Sequence, residues 1–223
     1  MNSKKLITLS IIIISISIIL KMLVVGFKNI KIDDFKPASV IFIMDSSASN
    51  QDKLLVQKKF VKQMCAQLDP EDHIKIIRLS QDSYLIYEGS PQNSSGITKS
   101  MDSFTQYDAN ENGTAYGLGL KKAFSYALLM KKEGYEPSVV VLGDLENEGD
   151  ITKQLNWEVL PKNVENVRKY IPELTMMFLF AHPQKLDMVK EKLAPVLGEK
   201  KLIVAPEENV EKSLRNFLTA IGR

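Results

Sequence analysis

From Pro37 onward, short β-branched runs alternate with longer stretches of helical period, and this alternation constrains the fold more than any other feature of the chain. Strands joined by helix-length connections pair in parallel and are covered by those helices on both faces, so the pattern predicts an α/β three-layer sandwich with a mostly parallel central sheet. The predicted strands are Val40 to Met44, Ile74 to Leu79, Tyr84 to Tyr87, Val139 to Leu142, Thr175 to Phe180 and Leu202 to Val204. Between the first two, Val56, Phe60, Met64 and Leu68 recur at every fourth position, which predicts an amphipathic helix over residues 51–68. Further helices fit residues 115–132, 164–170, 184–193 and 207–221. Only Ser80 to Ser83 separate the second and third strands, too few for a parallel crossover, so the third strand is expected to be antiparallel at or near an edge. Residues 89–113, rich in Ser, Asn, Gly and Asp, are expected to form a long irregular loop of the kind that carries function.

Before Pro37 the chain changes character. Residues 6–27 are apolar except for short hydroxyls and Lys21, and as a helix they just span a bilayer core, which takes about 20 residues. Lys4 and Lys5 precede the run, so an uncleaved signal-anchor with a cytoplasmic N-terminus and an extracytoplasmic globular domain is expected. A cleaved signal peptide, giving a secreted protein, is the alternative, but no small-residue cleavage site stands out. The expected organisation is an anchor at 1–27, a polar tether at 28–37 and one domain at 38–223. Charge follows the same division: residues 1–36 hold six Lys and two Asp of a total of 29 basic and 27 acidic residues, leaving the remainder with a net charge of −2. A nucleic-acid-binding body with a basic stripe and interleaved aromatics is therefore not expected. With 44% hydrophobic and 25% charged residues, the chain fits neither a disordered segment nor a polytopic membrane protein. A single cysteine, Cys65, excludes an internal disulfide and a thiolate-caged zinc, and it reads as a small buried apolar residue.

The chemistry gathers at predicted strand ends. The first strand runs into Asp45-Ser46-Ser47-Ala48-Ser49, and the fourth into Gly143-Asp144; Thr114 lies in Asn112-Gly113-Thr114, at the end of the polar loop, where a helix starts. Open α/β sheets bind ligands at the carboxyl edge of their strands. Asp45, Ser47 and Ser49 alternate, so a loop can turn three oxygens toward one point, and hard cations take oxygen ligands. Taken on its own, Asp-x-Ser-x-Ser reads better as helix capping than as a ligand set, and Thr114 is either an N-cap or a ligand. Should the first and fourth strands lie side by side, Asp45 and Asp144 would balance a divalent cation.

In these three segments the chain resembles the von Willebrand factor type A domain, over about residues 38–222. The family's metal-ion-dependent adhesion site is carried by Asp-x-Ser-x-Ser, a distant Thr and a distant Asp, and the resemblance implies Asp45, Ser47, Ser49, Thr114 and Asp144 as ligands of Mg²⁺, Mn²⁺ or Ca²⁺. It further implies binding to a partner protein whose Asp or Glu carboxylate completes the coordination. One departure is plain: the third motif usually reads Thr-Asp-Gly, and here it reads Gly143-Asp144-Leu145.

Two other readings remain. An aspartate-based phosphatase or phosphotransferase needs a second acid two residues after its nucleophile, and Ser47 stands there, so no enzyme activity is expected. A type A-like scaffold that works without metal is the other. His73 is expected to be exposed or locally hydrogen-bonded and His182 to be a loop residue near the ligand-binding edge, while Trp157, Met176 and Met177 read as packing residues. The acidic stretch from Glu146 to Asp150 reads as a solvated loop, and the glycosylation-type triplets at Asn93 and Asn112 as incidental.

Overall fold

The computed structural model describes residues 36–103, 113–206 and 209–223. The proposed anchor at 6–27, nearly all of the tether, and Asn112 lie outside the described residues. Among the described residues no helix is long and apolar enough to cross a membrane. Lys36–Arg223 forms one compact unit.

The most apolar strand, β1 (Ala38–Asp45), is buried at all eight positions. A strand flanked on both sides and covered on both faces reads as a continuous apolar run rather than an alternation, and β1 takes that central place. It pairs in parallel with β2 (His73–Leu79) on one side and with β4 (Glu136–Leu142) on the other. β3 (Ser83–Gly89) adds antiparallel to β2, with a register shift between Ile76 and Ile77, and forms one edge. β5 (Thr175–Leu179) and β6 (Leu202–Ala205) extend the sheet in parallel beyond β4, so the order is β3-β2-β1-β4-β5-β6. The expected α/β architecture, with its antiparallel edge strand, is therefore the observed one.

The helices are α1 (Leu54–Cys65), α2 (Ser94–Asp102), α3 (Tyr116–Lys132), α4 (Leu160–Arg168), α5 (Pro183–Leu197) and α6 (Val210–Ala220). Alternate strand residues serve opposite faces. Ile41, Ile43, Val139, Val141, Met176 and Phe178 pack with Leu120, Val164 and Leu186 of α3, α4 and α5. Val40, Phe42, Met44, Val140 and Met177 pack with Phe60 and Met64 of α1 and Phe217 of α6. Cys65 is buried in this second cluster, and its thiol is pushed up to about 12 by burial. Trp157 packs against the first cluster, and Met176 and Met177 are core, as expected.

Two expectations need correction. Residues 89–113 are not wholly irregular: Ser94–Asp102 form α2, with the Asn93 side chain accepting from Gly96 N at 3.1 Å and Ile97 and Met101 buried. A nine-residue helix with only two buried apolar positions leaves a weak periodic signal in a polar segment. The fifth helix runs on to Leu197 through Pro195, because Leu197 continues the buried face of Leu186, Val189 and Leu193. That burial outweighs the backbone bond that proline cannot make.

Candidate metal centre

β1 and β4 are neighbours with Met44 opposite Leu142, so the loops bearing Asp45 and Asp144 leave the sheet side by side. Asp45 is fully buried and its carboxylate accepts three hydrogen bonds. Oδ1 accepts from Ser47 N at 2.8 Å, while Oδ2 accepts from Asn50 Nδ2 at 2.8 Å and from the Tyr116 hydroxyl at 2.6 Å. From there the hydroxyls run on: Ser47 Oγ lies 3.1 Å from Ser49 Oγ, and Ser49 Oγ donates to Asp144 Oδ2 at 2.8 Å. Asp144 Oδ1 accepts from Glu146 N at 2.8 Å. Four of the five sequence-predicted residues therefore form one linked cluster.

Thr114 is held by its backbone at the same edge of the sheet. Thr114 N donates to Glu148 O at 3.2 Å and Ala115 N to Ser80 O at 2.8 Å, stitching the segment before α3 to the loops after β4 and β2. The Thr114 hydroxyl is buried and has no hydrogen-bond partner among the described residues. It is not an N-cap: that position belongs to Ala115, with no side-chain cap bond. Capping fails for the first motif too, since α1 has Lys53 at its N-cap, and Ala48–Asn50 form a separate 3₁₀ turn.

Burial dominates the electrostatics. Asp45 is raised from 3.8 to about 6, chiefly because burial penalises its charge, with a smaller push from Asp144 and opposing pulls from the Tyr116 and Ser47 bonds. Tyr116 is held well above its ordinary value of 10 by complete burial and then by the charges of Asp45 and Asp144, so its hydroxyl stays a donor. Sequence reasoning missed Tyr116 and Asn50. A tyrosine at the start of a buried helix, whose hydroxyl must find a partner, was the available signal for the first.

The turn after β4 is strained. Leu145, standing where the family motif has glycine, adopts φ 61° and is 1% exposed. A left-handed residue with a side chain costs about 1–2 kcal/mol, a cost that burial of the leucine offsets. Phe180, at the end of β5, is also left-handed at φ 71°, and its carbonyl accepts from Lys53 Nζ at 3.1 Å. At the rim, Arg78 Nε donates to Ser46 Oγ at 2.9 Å and Lys185 pairs with Glu146 at 3.0 Å. His182 caps α5, its Nδ1 accepting from Gln184 N at 3.4 Å, and His73 sits 3.9 Å from Glu88 with its pKa lowered by burial. Among the described residues, no three His, Cys, Asp or Glu side chains gather to hold a metal. The donor set here is two carboxylates with three hydroxyls.

Comparison with known proteins bears on the fold. Residues 40–147 match the family model described as von Willebrand factor type A domain. No curated protein sequence matches the chain. Proximal thread matrix protein 1 from the mussel byssus, solved with a zinc-occupied MIDAS motif, superposes with a TM-score of 0.58 at 13% identity, covering 83% of this chain and 48% of its own. BatB from Bacteroides thetaiotaomicron gives 0.58 at 14% identity over 83% of this chain and 100% of its own. The pilus adhesin SpaC from Lactobacillus rhamnosus GG gives 0.60 at 14% identity over 85% and 30%. The chain thus spans about half the length of the mussel protein and under a third of the adhesin. At these identities the likeness is one of fold. Residues 40–147 thus match the von Willebrand factor type A model by sequence, and the described residues from 36 onward share the fold of these solved structures.

Proposed function

We propose that this domain is a membrane-tethered protein-binding module that recognises an acidic side chain of its partner through a divalent cation held by Asp45, Ser47, Ser49, Thr114 and Asp144. The observation that carries the reading is the Thr114 hydroxyl: a buried oxygen with no hydrogen-bond partner among the described residues, at the sheet edge that also carries Asp45 and Asp144, so that the candidate donors are oxygens alone. Leaving a buried polar group unsatisfied costs about 1–3 kcal/mol, and a hard cation is the ligand that such oxygens suit. When bound, Mg²⁺, Mn²⁺ or Ca²⁺ would supply an electrophilic centre for a carboxylate.

The chain's own groups set up that recognition. Asp45 and Asp144 offset the cation's charge, while the neutral Ser and Thr oxygens leave it attractive to one more anion. Ser47 N, Asn50 and Tyr116 fix the Asp45 carboxylate, and Glu146 N fixes that of Asp144. The apolar run at 6–27 supports the tether. None of these groups is assigned a catalytic step. One observation favours the metal-free scaffold: the bonds from Ser47 through Ser49 to Asp144 close the cluster by themselves.

Calorimetric titration of the full chain with Mn²⁺ separates the two. Saturable binding is expected, abolished by Asp45→Ala and weakened roughly tenfold or more by Thr114→Ala, as for a ligand worth at least about 1.4 kcal/mol. Absence of Mn²⁺ binding by the wild type would leave the metal-free scaffold.

A further inference from the structure

The third motif departs from Thr-Asp-Gly, and the structure shows what fills the space. A Cβ placed on Gly143 would lie 2.1 Å from the Tyr116 hydroxyl oxygen, 2.6 Å from Asp45 Cβ and 3.0 Å from Asp45 Oδ2. A side chain at 143 and the phenol of Tyr116 therefore exclude one another. The phenol also has defined work at that spot. It donates to Asp45 Oδ2 at 2.6 Å and accepts from Leu145 N at 3.1 Å, so one oxygen from the first turn of α3 ties the loop after β1 to the turn after β4. Leu145 is the left-handed residue that follows Asp144, and a strained backbone persists only where its surroundings hold it.

We propose that Tyr116 is a positioning residue of the cation site: its hydroxyl takes the volume vacated at Gly143 and fixes the Asp45 carboxylate and the Asp144 turn relative to each other. This rests on the metal-binding reading above. The hydroxyl touches no ligand position of a partner; it acts through Asp45 and through the backbone of Leu145. Groups that orient ligands in this way typically contribute about 10- to 100-fold to metal affinity.

The test is a double-substitution cycle in the full chain, read by calorimetric Mn²⁺ titration, with melting in EDTA as the check on folding. Tyr116→Phe removes only the hydroxyl and is expected to weaken Mn²⁺ binding by roughly 10- to 100-fold while the EDTA melt stays cooperative. Gly143→Ala puts a methyl into the phenol's position and is expected to weaken binding as well. Both changes disturb the Tyr116–Asp45 contact, so in the double variant the losses should fall short of their product, even though the methyl at 143 also presses on Asp45 Cβ. Wild-type affinity in Tyr116→Phe, or losses that multiply in the double variant, would overturn this inference while leaving the metal site standing. A wild type that binds no Mn²⁺ overturns both. If Tyr116→Phe does not fold, Gly143→Ala decides alone, and unchanged affinity there counts against the proposal.

Discussion

Asp45 shows how far a single residue can be pulled from its ordinary chemistry by its place at a strand end. Burial pushes its carboxyl up to about 6 in the fold, against 3.8 ordinarily, and outweighs the hydrogen bonds from Tyr116 and Ser47 that pull the other way. Between those values the folded chain keeps a proton that the unfolded chain has lost. Stability without metal therefore falls as pH rises from about 4 to about 6, and the full cost, on the order of 3 kcal/mol, is present above that window. Thermal melts of the full chain in EDTA should show this fall between pH 4 and pH 6 in the wild type and lack that component in Asp45→Asn; parallel pH profiles would refute the assignment. At this scale the candidate ligands were legible in the sequence, since Asp45, Ser47, Ser49 and Asp144 stand at recognisable strand ends. Tyr116 was not, because its hydroxyl reaches Asp45 from 71 positions away, and no local pattern encodes that approach.

Among the elements, those with a broad buried face were readable and those without one were not. β1, β4 and β5 are buried at nearly every position because helices cover both sides, and each carries an unbroken apolar run, while α1 and α6 show their stripe because one side must meet the sheet. α2 escaped notice because it buries two residues, Ile97 and Met101, and owes its start to a cap. Asn93 Oδ1 is the acceptor for Gly96 N, and removal of such a cap costs about 1 kcal/mol. Asn93→Ala should therefore lower the urea midpoint by an amount corresponding to about 1 kcal/mol without changing the slope of the transition. A shift near zero would mean that packing of Ile97 and Met101 alone holds the helix. The end of α5 was misread for the converse reason: Pro195 signals a stop in sequence, and only the site awaiting Leu197 overrides it.

For the molecule as a whole, the far end of the sheet is held by a buried ionic knot. Asp72, fully buried, accepts from Ala38 N at 2.7 Å and from Asp69 N at 2.9 Å, and it pairs with Arg223 through Nε at 2.8 Å and through Nη2. One carboxylate thus joins the start of β1, the approach to β2 and the residues after α6. Removing one member of a buried pair leaves the other uncompensated, which costs about 3–5 kcal/mol; Asp72 keeps two amide donors, so Arg223→Ala should fall at the lower end, about 3 kcal/mol, by urea denaturation. A loss under about 1 kcal/mol would show the pair to be solvent-screened.

The amino-acid sequence by itself determined the class of fold and the antiparallel edge strand, because burial on both faces of a sheet and the length of a connection are written locally. Tertiary structure alone decided that β1 and β4 are neighbours, that the Thr114 hydroxyl has no hydrogen-bond partner among the described residues, and that Tyr116 occupies the space above Gly143. These are distances between segments remote in the chain. They are fixed by how the layers pack, and packing is a property of all the side chains together rather than of any stretch of them.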